Sequence, residues 1–180
     1  MHRALIAMSG GVDSSVAACL IRERGWTCIG VTMKLLQNEE LGLSGEHPCC
    51  SLEDVEDARQ VAGKLHMPYY VFNFAQQFRA CVLEPFVSAY AAGRTPNPCI
   101  ACNRHLKFDL LLRRAREVDF DYVVTGHYAR IVLDRETGNY QLKKALDASK
   151  DQSYVLYSIT PGQAAVLYDG DVVLGGGTIL

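Results

Sequence analysis

The chain has 180 residues, 49% hydrophobic and 21% charged, with a formal charge of −2. That length holds one α/β domain with a real core and a small appendage, no apolar run approaches a membrane span, and the weak negative charge restricts any nucleic-acid contact to local patches. Seven cysteines, an odd count with pairs at Cys49-Cys50 and Cys99-x-x-Cys102, do not form a secreted disulfide framework, and the first residues are strand rather than secretion signal, so the expectation is a cytoplasmic protein with reduced thiols and no membrane contact.

Arg3 to Met8 is too short for a buried helix and suits a central parallel strand. Met8-Ser9-Gly10-Gly11-Val12-Asp13-Ser14-Ser15 follows it and leads straight into a helical pattern. Gly10 and Gly11 remove two β-carbons where the backbone turns sharply near a ligand, and Asp13, Ser14 or Ser15 can cap the next helix. Amides at that helix start, with the positive dipole end behind them, make a phosphate cradle. The competing reading is an ordinary strand-to-helix turn.

Val16, Ala17, Leu20 and Ile21 form the inward stripe of that helix, which stops at Gly25. Thr27 to Met33 is the second strand, and Gln37 to Pro48 a surface loop. Ser51-Leu52-Glu53-Asp54 has the pattern of a capping box, with Val55, Ala58, Ala62 and Leu65 at helical spacing behind it and Pro68 before the strand Tyr69 to Phe74. Phe78, Val82, Phe86 and Tyr90 mark a helix over 76–90 that Pro85 bends or interrupts. Gly93 to Pro98 is a stiff extended bend. Cys99 to Asn103 then opens a helix with Leu106, Leu110, Leu111 and Ala115 inward and Arg104, His105, Lys107, Arg113, Arg114 and Arg116 as its charges, read either as a nucleic-acid patch or as a solvated face.

Tyr122 to Thr125 is a short strand that delivers Gly126-His127-Tyr128 to the carboxyl edge of the sheet. Ile131 to Leu133 and Tyr140 to Leu142 form a hairpin, Lys150-Asp151-Gln152-Ser153 is an exposed polar cluster, and Tyr154 to Ile159 is apolar. Alternation of strands and helices predicts an α/β doubly wound parallel sheet of Rossmann-like type, with its ligand at the switch point.

The loop lacks the Gly-Lys-Ser/Thr ending of the Walker loop and the three-glycine spacing of a dinucleotide fingerprint. Ser9-Gly10-Gly11-Val12-Asp13-Ser14-Ser15 instead resembles the pyrophosphate loop of the ATP pyrophosphatases, of the adenine nucleotide alpha hydrolase fold type. With Thr95-Pro96-Asn97-Pro98, Cys102-Asn103, Thr125 to Arg130 and Lys150 to Tyr154, the chain over about residues 1–159 resembles the bacterial tRNA-specific 2-thiouridylases. Those enzymes adenylate an oxygen of the wobble uridine with ATP and replace it with sulfur from a persulfide.

The resemblance implies ATP and Mg2+ as cofactors. ATP would meet Ala7, Met8, Ser9, Gly10, Gly11, Val12, Asp13 and Ser14, together with Met33 and Gly126. Asn97, Pro98 and Cys99 would meet the target base, and Lys150, Asp151 and Gln152 would touch tRNA. Cys102 would be the first catalytic cysteine, with Asp13 and Cys99 beside it in the catalytic set. The partners implied are tRNA and a persulfide donor, either a cysteine desulfurase or a sulfur relay protein.

Cationic neighbours at a helix start lower a thiol pKa, which suits Cys102 to sulfur transfer. An inert buried thiol and, with Cys99, half of an iron–sulfur site are the other readings, Cys49 and Cys50 being candidate further ligands.

The family often has aspartate at the position of Cys99, which on this resemblance marks a cluster-dependent variant. No cysteine follows Cys102, whereas the family carries its second, persulfide-bearing cysteine in a central domain. Residues 160–180 resemble the last hairpin of the family's C-terminal barrel, with strands Ala165 to Tyr168 and Val172 to Leu174 about an Asp-Gly turn and a joint near Pro161. The expectation is a shortened form, with a hairpin that docks on the domain edge or moves freely. Two other functions stay open: another pyrophosphatase-superfamily enzyme that adenylates or amidates a small molecule, and a remnant that binds nucleotide or tRNA without sulfur transfer.

Overall fold

The computed structural model describes residues 2–36, 51–136 and 138–156, and the backbone of strands Ala164–Asp169 and Val172–Thr178. The loop over 37–48, Cys49, Cys50 and the joint near Pro161 lie outside the described residues.

Strands β1 (Arg3–Ala7), β2 (Thr27–Lys34), β3 (Tyr69–Asn73) and β4 (Tyr122–Val124) form a parallel sheet in the order β3-β2-β1-β4. The order reverses at β1, whose neighbours are β2 on one side and β4 on the other, so the doubly wound expectation holds. Ala4, Leu5 and Ile6 are fully buried because β1 is covered on both faces. Its alternation divides the core. Ala4, Ile6 and Met8 pack with Ala17, Ala18 and Ile21 of α1 (Val12–Glu23) and with Ala58 and Ala62 of α2 (Leu52–Lys64). Leu5 packs on the other face with Val82, Leu106, Leu111 and Ala115.

α1 ends where expected, with Gly25 in the left-handed region at φ +77°. Its inward stripe differs from the sequence reading: Ala18 is buried and Val16 is exposed, so the helix rests on its Ala17–Ala18 face. The capping box of α2 is complete, Asp54 N–H donating to Ser51 Oγ at 3.1 Å and Ser51 N–H to Asp54 Oδ2 at 2.9 Å.

Helix α3 spans residues 75–91 as Ala75–Phe78, a π-helical segment Arg79–Leu83 and Glu84–Ala91. Pro85 therefore neither breaks nor ends the helix. Its missing N–H and bulky ring fall just after a widened turn, where no ordinary i−4 bond is needed. Tyr90 is 63% exposed at the end of this helix, its ring centroid 5.7 Å from that of Phe86 and tilted against it. Helix α4 spans residues 98–117 as Pro98–Cys102, a π-helical segment Asn103–Leu110 and Leu111–Glu117. The wide turns put residues five apart on one face, which buries Asn103 with Phe108 and Leu106 with Leu111. Asn103 and Phe108 were not anticipated as buried.

Beyond the sheet, β5 (His127–Tyr128) leads into a hairpin of β6 (Arg130–Leu133) and β7 (Tyr140–Lys143), and α5 (Ser153–Leu156) closes the fully described region. β8 (Ala164–Asp169) pairs parallel with β5, His127 opposite Leu167, and antiparallel with β9 (Val172–Thr178). The C-terminal hairpin is thus docked through β5, and its strands run longer than the sequence pattern suggested.

Candidate active site at the carboxyl edge of the sheet

The loop between β1 and α1 is held at its start by a buried chain of hydroxyls. Thr32 Oγ1 donates to the Met8 carbonyl at 2.8 Å, and Tyr69 Oη donates to Thr32 Oγ1 at 2.6 Å. Gly10 has φ +81°, and a Cβ there would lie 2.6 Å from the Asp54 carbonyl oxygen, so only glycine lets α2 close against the loop. Ser14 then folds the loop on itself, accepting from Ser9 N–H at 3.2 Å and donating to the Gly11 carbonyl at 3.0 Å.

None of Asp13, Ser14 and Ser15 caps α1. The cap is Gly11, with no side-chain hydrogen bond, because the helix begins at Val12 and the two serines already lie inside its first turns, donating back to Gly11. A 12-residue helix therefore begins at the sheet edge without a side-chain acceptor for its first amides, which suits an anionic ligand. The exposed Asp13 carboxylate has the oxygen chemistry that Mg2+ takes.

From the other side of the switch point, Gly126 meets this loop. A Cβ on it would lie 2.7 Å from Asp13 C and 2.8 Å from Ser14 N, a closeness of backbones that no other residue allows. Two residues on, Tyr128 Oη donates to Asp13 Oδ1 at 2.6 Å. That bond holds the phenol proton and pushes the Tyr128 pKa above its usual value. Ala7 and Met8 run into the loop as expected, while Met33 sits within the second core at 8% exposure.

The polar cluster before α5 is tied to Tyr128. Gln152 N–H donates to the Tyr128 carbonyl at 2.8 Å and Gln152 Oε1 accepts from Tyr128 N–H at 3.0 Å. Lys150 Nζ lies 5.1 Å from the Tyr128 ring centroid. Asp151 accepts from Ala145 N–H at 2.8 Å and from Ser153 Oγ at 2.9 Å, which hold its carboxyl below the usual range. Asp151 and Gln152 thus bond within the chain, and Lys150 is the exposed member of the three.

At the start of α4, Asn97 Oδ1 accepts from Cys99 N–H at 3.0 Å, so the Asn-Pro-Cys segment is an N-capped helix start with Pro98 in the first turn. Cys99 is exposed and Cys102 half-buried. Asn103 Nδ2 donates to the Cys99 carbonyl at 2.9 Å, while its buried Oδ1 has no partner among the described residues. Ile100 packs with Phe108, Ala129, Val155 and Leu156, which joins this turn to the segment after Tyr128 and to α5. Along α4, Arg113 pairs with Asp109 and Arg114 with Glu117, so these two charges form a solvated face.

His127 is buried and shares a 2.8 Å hydrogen bond with Thr125 Oγ1. Burial and the nearby Lys107 push its pKa down to about 3, so the ring is neutral at physiological pH. Cys28, on β2, is buried in the first core and its thiol is pushed up to about 11 by desolvation. Among the described residues no group of three or more His, Cys, Asp or Glu could hold a metal ion, and no helix is long and apolar enough to cross a membrane.

Residues 2–168 match the family described as the tRNA methyl transferase HUP domain. The chain belongs to that family. Within it, the chain is 52% identical over 161 residues to the tRNA-specific 2-thiouridylase MnmA of Clostridioides difficile (strain 630), covering 89% of this chain and 44% of that protein. It is 54% identical over 164 residues to the enzyme of the same name from Desulforamulus reducens, covering 91% of this chain and 45% of that one. The chain therefore spans a little under half the length of these curated relatives. Among solved structures, a glutamine-dependent NAD+ synthetase from Acinetobacter baumannii aligns over 71% of this chain and 21% of its own, at a TM-score of 0.47 and 14% identity.

Sequence reasoning named Tyr128 only as part of a segment and gave it no role. Its position two residues past the switch-point glycine was the available signal.

Proposed function

We propose that the chain is the ATP-binding, adenylating part of a tRNA-uridine 2-sulfurtransferase. The observation that carries this is the pairing of an uncapped α1 N-terminus and exposed Asp13 with Gly126 at the switch point, in a chain more than half identical to named 2-thiouridylases.

The uracil carbonyl oxygen attacks the α-phosphorus of ATP, the bond to the bridging oxygen breaks, and pyrophosphate leaves. Amides of Gly10 to Ser14 take up charge on the transferring phosphate, and Asp13 is the residue to hold Mg2+, which when bound neutralises the triphosphate. The terminal sulfur of a persulfide donor, a cysteine desulfurase or a sulfur relay protein, then attacks the activated carbon and AMP leaves. A thiolate attacks the inner sulfur of the resulting adduct, the S–S bond breaks, the 2-thiouridine departs and a disulfide between that thiol and the donor remains. Cys102 is the thiol assigned to this step, with Asn97 to Cys99 at the target base and Lys150 the exposed contact for tRNA phosphate.

Residues 1–159 form the catalytic unit and 160–180 a separate hairpin segment, both acting in the cytoplasm. In the alternative use of this pair, Cys99 and Cys102 would be two of the ligands of an iron–sulfur cluster. Iron and sulfide content after anaerobic purification tests it directly.

The experiment for the whole reading is incubation with α- and γ-labelled ATP with and without unmodified tRNA. Pyrophosphate release that depends on tRNA is expected. Release that ignores tRNA would point instead to a small-molecule adenylating enzyme, and no release to a binding remnant.

A further inference from the structure

We propose that Tyr128 is a positioning residue that couples the Lys150–Gln152 surface to the nucleotide loop, so that tRNA at that surface tightens Mg·ATP binding. The inference rests on the proposed function and goes beyond it by naming the element that links its two ligands. Tyr128 is held at three points by two different parts of the site. Its hydroxyl engages one oxygen of the Asp13 carboxylate at 2.6 Å. Its own N–H and carbonyl are both bonded to Gln152, at 3.0 and 2.8 Å. The Lys150 ammonium lies 5.1 Å from its ring centroid.

A carboxylate oxygen shared with a phenol proton is a weaker cation ligand than a free one, because the same lone pairs serve both. Lys150 is exposed and is drawn to phosphate, which competes with the ring for the ammonium. The segment that an RNA backbone engages is therefore the one that fixes the main chain of Tyr128. Displacing it releases the phenol from Asp13 and frees the carboxylate for Mg·ATP. Linkage requires the reverse as well: Mg·ATP, by taking Asp13, tightens RNA binding by the same factor.

The test is the dissociation constant of Mg·ATP, read with α,β-methylene-ATP, which cannot release pyrophosphate, by equilibrium dialysis on the 180-residue chain, with and without saturating unmodified tRNA. The wild type tightens roughly fivefold or more when tRNA is present, the lower end of ordinary coupling. In Tyr128→Phe the tRNA-free affinity rises to the tRNA-bound wild-type level and tRNA adds nothing further. Gln152→Ala, which keeps the phenol and removes a clamp on its backbone, also shows reduced coupling. Full wild-type coupling in a folded Tyr128→Phe, or in Gln152→Ala if the first variant does not fold, overturns the proposal. So does a wild type that binds both ligands independently. A wild type that binds no ATP overturns the assignment of the loop itself and is distinguishable from either result.

Discussion

Gly126 stands against the backbone of Asp13, where a Cβ would come within 2.7 Å of the Asp13 carbonyl carbon. Both groups are main chain, Asp13 in α1 and Gly126 in the short connection from β4 to β5, so the clash cannot be relieved by a rotamer change. Gly126→Ala is expected to push the β4 exit away from the loop, lower Mg·ATP affinity at least about tenfold, equivalent to about 1.4 kcal/mol, and lower the melting temperature. Calorimetric titration and thermal melting check this, and unchanged affinity would mean the loop is not in contact with the ligand.

Thr32 is fully buried, donates to the Met8 carbonyl and receives the Tyr69 hydroxyl. Thr32→Val keeps the shape but leaves a buried carbonyl without its donor, a cost of about 1–3 kcal/mol. Urea unfolding should show a lower midpoint with an unchanged slope. A midpoint equal to wild type would show that the hydroxyl chain does not hold the loop.

Much of this site was legible in the sequence because its parts are local. The capping box at Ser51, the stop at Gly25 and the glycine loop each depend on neighbours a few residues away. Tyr128 was missed because its partner Asp13 is 115 positions distant and its clamp, Gln152, lies in another loop. The π-helical turns were equally invisible, since a 3.6-residue period predicts neither the burial of Phe108 nor how α3 carries Pro85. Asp151 looked like a surface residue because nothing in Lys-Asp-Gln-Ser shows that the Ala145 amide would claim one of its oxygens.

The buried His127 makes the fold sensitive to acid. Its folded pKa is about 3 against an ordinary 6.5, so above pH 6.5 it contributes no pH dependence. As pH falls from 6.5 toward 3 the unfolded chain takes up a proton that the folded chain refuses, and stability is lost. The loss reaches about 2 kcal/mol by pH 5. Urea midpoints at pH 7 and pH 5 for wild type and His127→Gln measure this. The variant should lose less than wild type on acidification, and equal losses would assign the effect elsewhere.

The described cysteines should separate by reactivity. Cys99 is exposed, whereas Cys28 is buried with its thiol at about 11. Limited iodoacetamide at pH 8, followed by peptide mapping, should alkylate Cys99 well before Cys28. Cys102→Ser should leave Mg·ATP binding within about twofold of wild type, since the thiol serves sulfur transfer and not nucleotide binding. A large loss of ATP affinity in that variant would place Cys102 in the nucleotide site.

The central claim is that the loop from Ser9 to Ser14 is a nucleotide site whose charge is managed by Asp13. It is tested most directly by Mg·ATP binding to wild type and Asp13→Ala, followed by calorimetric titration at one fixed magnesium concentration. The account predicts saturable one-to-one binding by the wild type and a loss of at least about tenfold in the variant. Equal affinity in the two proteins, with both folded, would contradict it.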